Sequence, residues 1–213
     1  TFGNNAAGDQ VNLTTAAVAI TTTGAGDNLT FTSKVDGRQD LTLTAAGATN
    51  FEGAVGSGTG TEIGDGTGAA ITINSAGVTE FDSTLETFSG IASANGAGNI
   101  TFRGDVTIGA GDTATTLINA VTNLDGLTLT SAGAVTFGND ATNDQVNLTT
   151  GDVAITTTGT GTLAPPPAPL TLAARRGAQG SGVGPCGPTR CPLRGRSPSG
   201  RWTTPSRGRR KAA

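Results

Sequence analysis

Glu80-Phe81-Asp82 is where this sequence comes nearest to a reactive pair. Residues i and i+2 of a strand share a face, so Glu80 and Asp82 should point outward together while Phe81 points in. Two carboxylates side by side can act as acid and base on a glycosidic bond. Glu52 and Arg103 follow Phe51 and Phe102 just as Asp82 follows Phe81. If the segments stack, Glu52, Asp82 and Arg103 form a charged ladder. An arginine in such a row makes a weakly paired, solvated strip the expected role. No catalytic residue is assigned on this reading, and the chain is not expected to be an enzyme.

Other reactive groups are few. The sequence contains no His, which excludes a Ser-His-Asp triad and any His-ligated metal. Cys186 and Cys191 stand in CGPTRC, whose spacing fits neither a redox motif nor, without further ligands, a zinc site. The loop from Gly56 to Gly68, GSGTGTEIGDGTG, resembles calcium-binding Gly-Asp repeats but offers only Glu62 and Asp65 as charged ligands. Calcium takes six to eight oxygens, so a plain loop is expected, with no cofactor. Asn12, Asn28, Asn99 and Asn147 open N-x-T sequons, which strand alternation also explains. Thr42/Thr44, Thr128/Thr130 and Thr156/Thr158 raise the idea of outward Thr ladders that order water against ice, although Thr is a common exposed strand residue.

Positioning these groups falls to short strands. Leu41 and Leu43 alternate with Thr42 and Thr44, the period-2 pattern of a half-buried strand. Ala46-Gly47 follows, read as a strand break that uses glycine's conformational freedom, and Phe51 and Val55 come next. The unit from Leu41 to Val55 reads as one coil of a solenoid, and it recurs from Ile71 and from Leu127. Residues 1–26 return at 136–161 with 20 of 26 positions identical, an internal repeat at an offset of 135. Leaving Phe88 aside, the spacings from Phe2 through Phe31, Phe51 and Phe81 to Phe102 are 29, 20, 30 and 21, which predicts coils of about 20 residues, some with inserted loops. No sustained i, i+3, i+4 apolar stripe runs through the body. Seven or eight stacked coils around one narrow core are expected, an all-β parallel β-helix (β-solenoid); an antiparallel sandwich is the alternative.

Leu29 to Gly56, LTFTSKVDGRQDLTLTAAGATNFEGAVG, resembles the repeats of filamentous-haemagglutinin-like and autotransporter-passenger bacterial surface proteins. The resemblance covers about residues 1–162. It implies a right-handed β-helical stalk, secreted or on the bacterial cell surface and associated with the outer membrane. The implied work is adhesion or biofilm formation, with host-cell or matrix glycans as partners. A carbohydrate-binding or carbohydrate-cleaving β-helix, or a truncated fragment with no function of its own, are the alternatives. Open solenoid ends would also invite self-association.

Composition divides the chain at residue 162. All 16 acidic residues and only three basic ones precede it, whereas ten basic residues and all nine prolines follow. Residues 163–213 read as a disordered Pro/Arg-rich tail, in character an out-of-frame continuation. A nucleic-acid-binding arm centred on Arg207, Arg209, Arg210 and Lys211 is the alternative for the tail, but the acidic body is not expected to bind nucleic acid. No apolar run approaches the roughly 20 residues of a membrane helix. The absence of Met reads as a piece of a longer chain.

Overall fold

The computed structural model describes residues 1–158 except 5, 7, 110, 112, 113, 141 and 142, and beyond them only the backbone of 163–164 and 171–172. The chain divides into two compact units, 1–176 and 177–213, and the second lies outside the described residues, as do Cys186, Cys191 and the basic cluster.

The first unit is a parallel β-solenoid, and its described residues include no helix. Three strands make one coil, and each pairs in parallel with its counterpart one coil away, so the coils stack as a three-sided prism. The first face begins at the Phe2–Phe31 bridge and climbs through Leu29–Phe31, Thr49–Phe51, Thr79–Phe81, Ile100–Phe102, Val121–Leu124, Gln145–Leu148 and Thr171–Leu172. The second runs from Gln10–Asn12 and Lys34–Asp36 through Val55 to Leu85–Thr87, Val106–Ile108, Thr128–Ser131 and Ala154–Thr157. The third comprises Val18–Thr21, Leu41–Thr44, Ile71–Ile73, Ile91–Ser93, Thr115–Leu117, Val135–Phe137 and Leu163–Ala164. Leu41 to Val55 is one coil, as its pattern predicts. The last rungs of two ladders fall within the stretch read as tail.

The strands are only two to four residues long because each face is narrow. Most three-residue strands bury their first and third side chains and turn the middle one out, as in Leu29-Thr30-Phe31 and Ile71-Thr72-Ile73, whereas Gln10–Asn12 and Lys34–Asp36 turn their middle valine in. Register then places like on like. Phe2, Phe31, Phe51, Phe81 and Phe102 form one column, with successive ring centroids 4.4–5.2 Å apart and planes within 11° of parallel. Their spacing is set by the roughly 4.8 Å between hydrogen-bonded strands. Leu124 continues the column above Phe102. Val35, Val55, Leu85, Val106 and Leu129 stack on the second face, and Leu41, Ile71 and Ile91 on the third.

Corners explain the small residues. A Cβ on Gly77 would lie 2.2 Å from the Gly47 carbonyl oxygen, and one on Gly98 2.3 Å from that of Gly77. Each coil therefore presses its backbone onto the corner beneath. Gly47, Gly77 and Gly98 do not adopt positive φ. Glycine is needed at these breaks for close approach, and the expected conformational reason does not hold there.

Coil length varies only at corners. Leu29 pairs with Thr49, a step of 20 residues, and Thr49 with Thr79, a step of 30. The extra chain is the loop read as Gly-Asp-rich, and buried Ile63 pins it by bridging to Thr87. Arg38 lies over the Phe88 ring, 3.9 Å from its centroid, and reaches Glu62 of the loop at 3.7 Å.

Because Phe51 and Phe81 are each stacked on both sides, Phe51→Ala or Phe81→Ala is expected to cost about 3–5 kcal/mol. Phe2→Ala, at a partly exposed end of the column, is expected to cost about 1 kcal/mol. Denaturant midpoints of the three variants check this order.

Candidate functional site

The outward positions of the first face form two polar rows. One carries Thr30, Asn50, Glu80, Thr101, Asn123 and Asn147 in register. The other follows the phenylalanine column and carries Glu52, Asp82, Arg103 and Asp125, each donating its backbone N–H to the column residue one coil below. Both rows follow from strand alternation: once the apolar residues turn in, the residues between and after them must turn out.

Glu80 and Asp82 do share a face, with Phe81 buried between them. Arg103, one coil above, takes both. One guanidinium nitrogen donates to Glu80 Oε1 at 2.8 Å and the other to Asp82 Oδ1. Asp125 Oδ2 lies 3.8 Å from its Nε. One cation thus bridges three carboxylates, two from the coil below its own and one from the coil above. Its pKa is held above the ordinary arginine range, first by its hydrogen bond to Glu80 and then, against a desolvation cost, by that to Asp82. Glu52 occupies the predicted ladder position one coil below Asp82 and takes no part in the Arg103 cluster. The arrangement is an exposed ion-pair network, and both carboxylates of the candidate pair face a fixed positive charge.

The inserted loop gathers no cation-binding set. Glu62 accepts from the Gly60 N–H at 2.6 Å and pairs with Arg38, while Asp65 accepts from the Thr67 N–H at 2.8 Å and its hydroxyl at 2.7 Å. Among the described residues, no group of three or more acidic side chains is placed to hold a metal ion. The loop does bring Asp65 to Asp40, whose Oδ1 accepts the Asp65 N–H at 3.3 Å. Burial raises the Asp40 pKa, that hydrogen bond lowers it, and the Asp65 charge raises it again, for a net rise. Asp65 moves the other way, lowered by its hydrogen bonds from Thr67.

The remaining candidates scatter. Thr42/Thr44 lie on the third face and Thr128/Thr130 and Thr156 on the second, where Thr107, Thr130 and Thr156 form one short row, so the pairs do not make a single array. The row through Thr42 and Thr72 meets Ala92 on the next coil. Among the sequon residues, Asn147 donates from Nδ2 to Asn123 Oδ1 at 3.0 Å, and Asn123 donates in turn to Thr101 Oγ1 at 3.0 Å. Asn28 accepts the Ala48 N–H at 2.8 Å and so ties two coils together.

Polar groups inside the prism were not foreseen. Ser93, Asn119 and Thr122 are buried and linked: Ser93 Oγ donates to Asn119 Oδ1 at 3.2 Å and accepts the Ile118 N–H at 2.8 Å. Asn119 Nδ2 donates to the Val121 carbonyl at 2.6 Å. Outside the prism, Asp36 is buried beneath the inserted loop, where it accepts from the Ser57 N–H and hydroxyl, both at 2.9 Å, with Lys34 Nζ at 2.8 Å. Polar residues at inward positions were the available signal, since Asn119 and Thr122 interrupt the apolar alternation between Leu117 and Leu124.

Removing the shared cation should leave three stacked carboxylates unscreened. Arg103→Gln is expected to lower stability at neutral pH by about 1 kcal/mol or less, as suits an exposed network. The deficit should shrink in molar salt, which paired melting curves would show. Asp40 gives a pH dependence of the opposite kind. Its folded pKa is raised, so the stability from its bound proton is lost as pH rises through the Asp range. Asp40→Asn keeps the acceptor and should melt above the parent at pH 7, with the gap closing by about pH 3.

No protein-family model, curated protein or solved structure matches this chain.

Proposed function

We propose that residues 1–162 are a structural repeat module of a secreted or cell-surface adhesin, which spaces and displays what it carries and contacts host-cell or matrix glycans with low specificity. The observation that carries this reading is the continuity of the three ladders. Each coil is buried by its neighbours in the same way, so chain length converts into axial reach without a new core. The resemblance of Leu29–Gly56 to adhesin repeats points in the same direction. So does the polar surface of the first face, where amide, hydroxyl and carboxylate groups recur at the coil spacing, a pattern suited to many weak hydrogen bonds with sugar hydroxyls.

Carbohydrate cleavage is the second reading, favoured by one observation: Glu80 and Asp82 project side by side from one strand. The Arg103 bridge weighs against it, because a general acid must keep its proton near neutral pH and a neighbouring cation favours its loss.

The test is to immobilise the full chain, pass a panel of polysaccharides and matrix glycans over it, and read retention and reducing-end release together. Weak, salt-sensitive retention across several glycans without release is the expected result. Release that disappears in Glu80→Ala, Asp82→Ala would replace the adhesin reading with the enzyme. Absence of retention on every glycan would remove the contact half of the proposal.

A further inference from the structure

One corner between the third face and the first holds more chain than those beneath it. Leu41 to Thr49 and Ile71 to Thr79 each make this turn in a step of eight residues. Ile91 to Ile100, the same positions one coil higher, takes nine. Backbone hydrogen bonds locate the surplus. Asn74 and Ala76, two residues apart, donate to the Leu43 and Ala45 carbonyls beneath them. On the next coil the donors to Ile73 and Ser75 are Ala94 and Gly98, four residues apart. Two additional residues therefore leave the wall at this height. They bulge as a turn closed by the Ala97 N–H on the Ala94 carbonyl at 3.0 Å, with Asn95-Gly96 at its tip. Gly98 takes the tight contact with the Gly77 carbonyl, which leaves Gly96 free of the coil below.

The tip is open. Asn95 and Gly96 are both exposed, and no atom of another segment lies within 4 Å of where a Gly96 Cβ would stand. Neither the Asn95 carboxamide nor the Gly96 N–H has a hydrogen-bond partner among the described residues. The carboxamides of Asn28, Asn119, Asn123 and Asn147, by contrast, are all held. Asn95 is also the one asparagine in the sequence that glycine follows. With no Cβ, glycine puts nothing in the way of an approach by its own nitrogen.

We propose that Asn95-Gly96 is a site of self-modification, at which the Gly96 nitrogen closes on the Asn95 side chain and water converts the asparagine into aspartate and isoaspartate. Solvent base takes the Gly96 N–H proton. The nitrogen bonds to Asn95 Cγ, the Cγ–Nδ2 bond breaks, and Nδ2 leaves as ammonia after taking a proton from water. Water then opens the cyclic imide at either carbonyl. Opening at Cγ leaves aspartate. Opening at the main-chain carbonyl leaves isoaspartate, whose backbone runs through Cβ. Nothing is oxidised or reduced, and water is the only co-reactant. Either product carries a new negative charge. The lengthened backbone falls within the turn, outside the bonds that Ala94 and Gly98 make to the coil below, so the ladders are kept.

Ageing the full chain in mildly alkaline buffer, followed by trypsin digestion and mass spectrometry, tests this. Arg38 and Arg103 bound one tryptic fragment that holds both Asn95-Gly96 and Asn74-Ser75, a small-residue pair set in the wall. Electron-transfer fragmentation locates the amide-to-acid mass gain and separates isoaspartate from aspartate. Conversion at Asn95 is expected to run on the order of tenfold faster than at Asn74, to rise with pH and to yield isoaspartate. Gly96→Val meets open space and no positive φ, and is expected to slow conversion on the order of tenfold with an unchanged circular dichroism spectrum. If that variant unfolds, Gly96→Ala takes its place. Equal conversion at Asn95 and Asn74 would overturn the proposal, as would a rate indifferent to the change at Gly96. Aged chains should keep the denaturant midpoint of fresh ones. A midpoint that falls as isoaspartate accumulates would put the turn inside the ladders and overturn that part of the proposal.

Discussion

Everything in this solenoid depends on one constraint: each strand hydrogen-bonds in parallel and in register to its counterpart one coil away. Parallel pairing fixes the rise per coil and sets every side chain on the equivalent position below. A phenylalanine meets a phenylalanine from Phe2 to Phe102, and the rings stack because the backbone spacing leaves them no other arrangement. The same rule works outside. Glu80 and Asp82 share Arg103 because Phe81 and Phe102 are partners. The place of the charged cluster thus follows from the core register.

Much of this was legible in residue order. The alternation of Leu29–Phe31, Leu41–Thr44 and Ile71–Ile73 marked the strands, and recurrence of the Leu41–Val55 unit marked the coil. The parallel solenoid, its inserted loop and the outward pairing of Glu80 and Asp82 with Arg103 above them all followed from spacing alone. Glycine was legible in position but not in cause. Gly77 stands at its corner because the Gly47 carbonyl leaves no room for a Cβ, a contact between residues thirty apart that local reasoning does not contain.

The face of each strand was not legible at all. Twenty identities across 26 residues suggest two copies in the same setting, yet Val11 meets Val35 on the second face and Val146 meets Thr122 on the first. A strand of three residues asks only for an inward pocket and two neighbours to bond, and every face supplies both. Which face it occupies depends on the number of turns preceding it, a property of the whole chain. The interior polar groups escaped for a related reason. Ser93, Asn119 and Thr122 are satisfied by one another, and each alone reads as a surface residue or as an error in the pattern.

The ten-residue excess in the coil between Val55 and Leu85 has a consequence for how such a protein changes over time. Rise along the axis is fixed by hydrogen bonds on the faces, while residue number is absorbed at the corners. The two are uncoupled. An insertion at Gly56–Gly68 alters girth and leaves every later rung at the same height, whereas a single residue added inside Thr79–Phe81 would reverse the inside and outside of that rung. Corners of this fold are thus open ports, where foreign sequence can be grafted and new chemistry tried without rewriting the scaffold beneath.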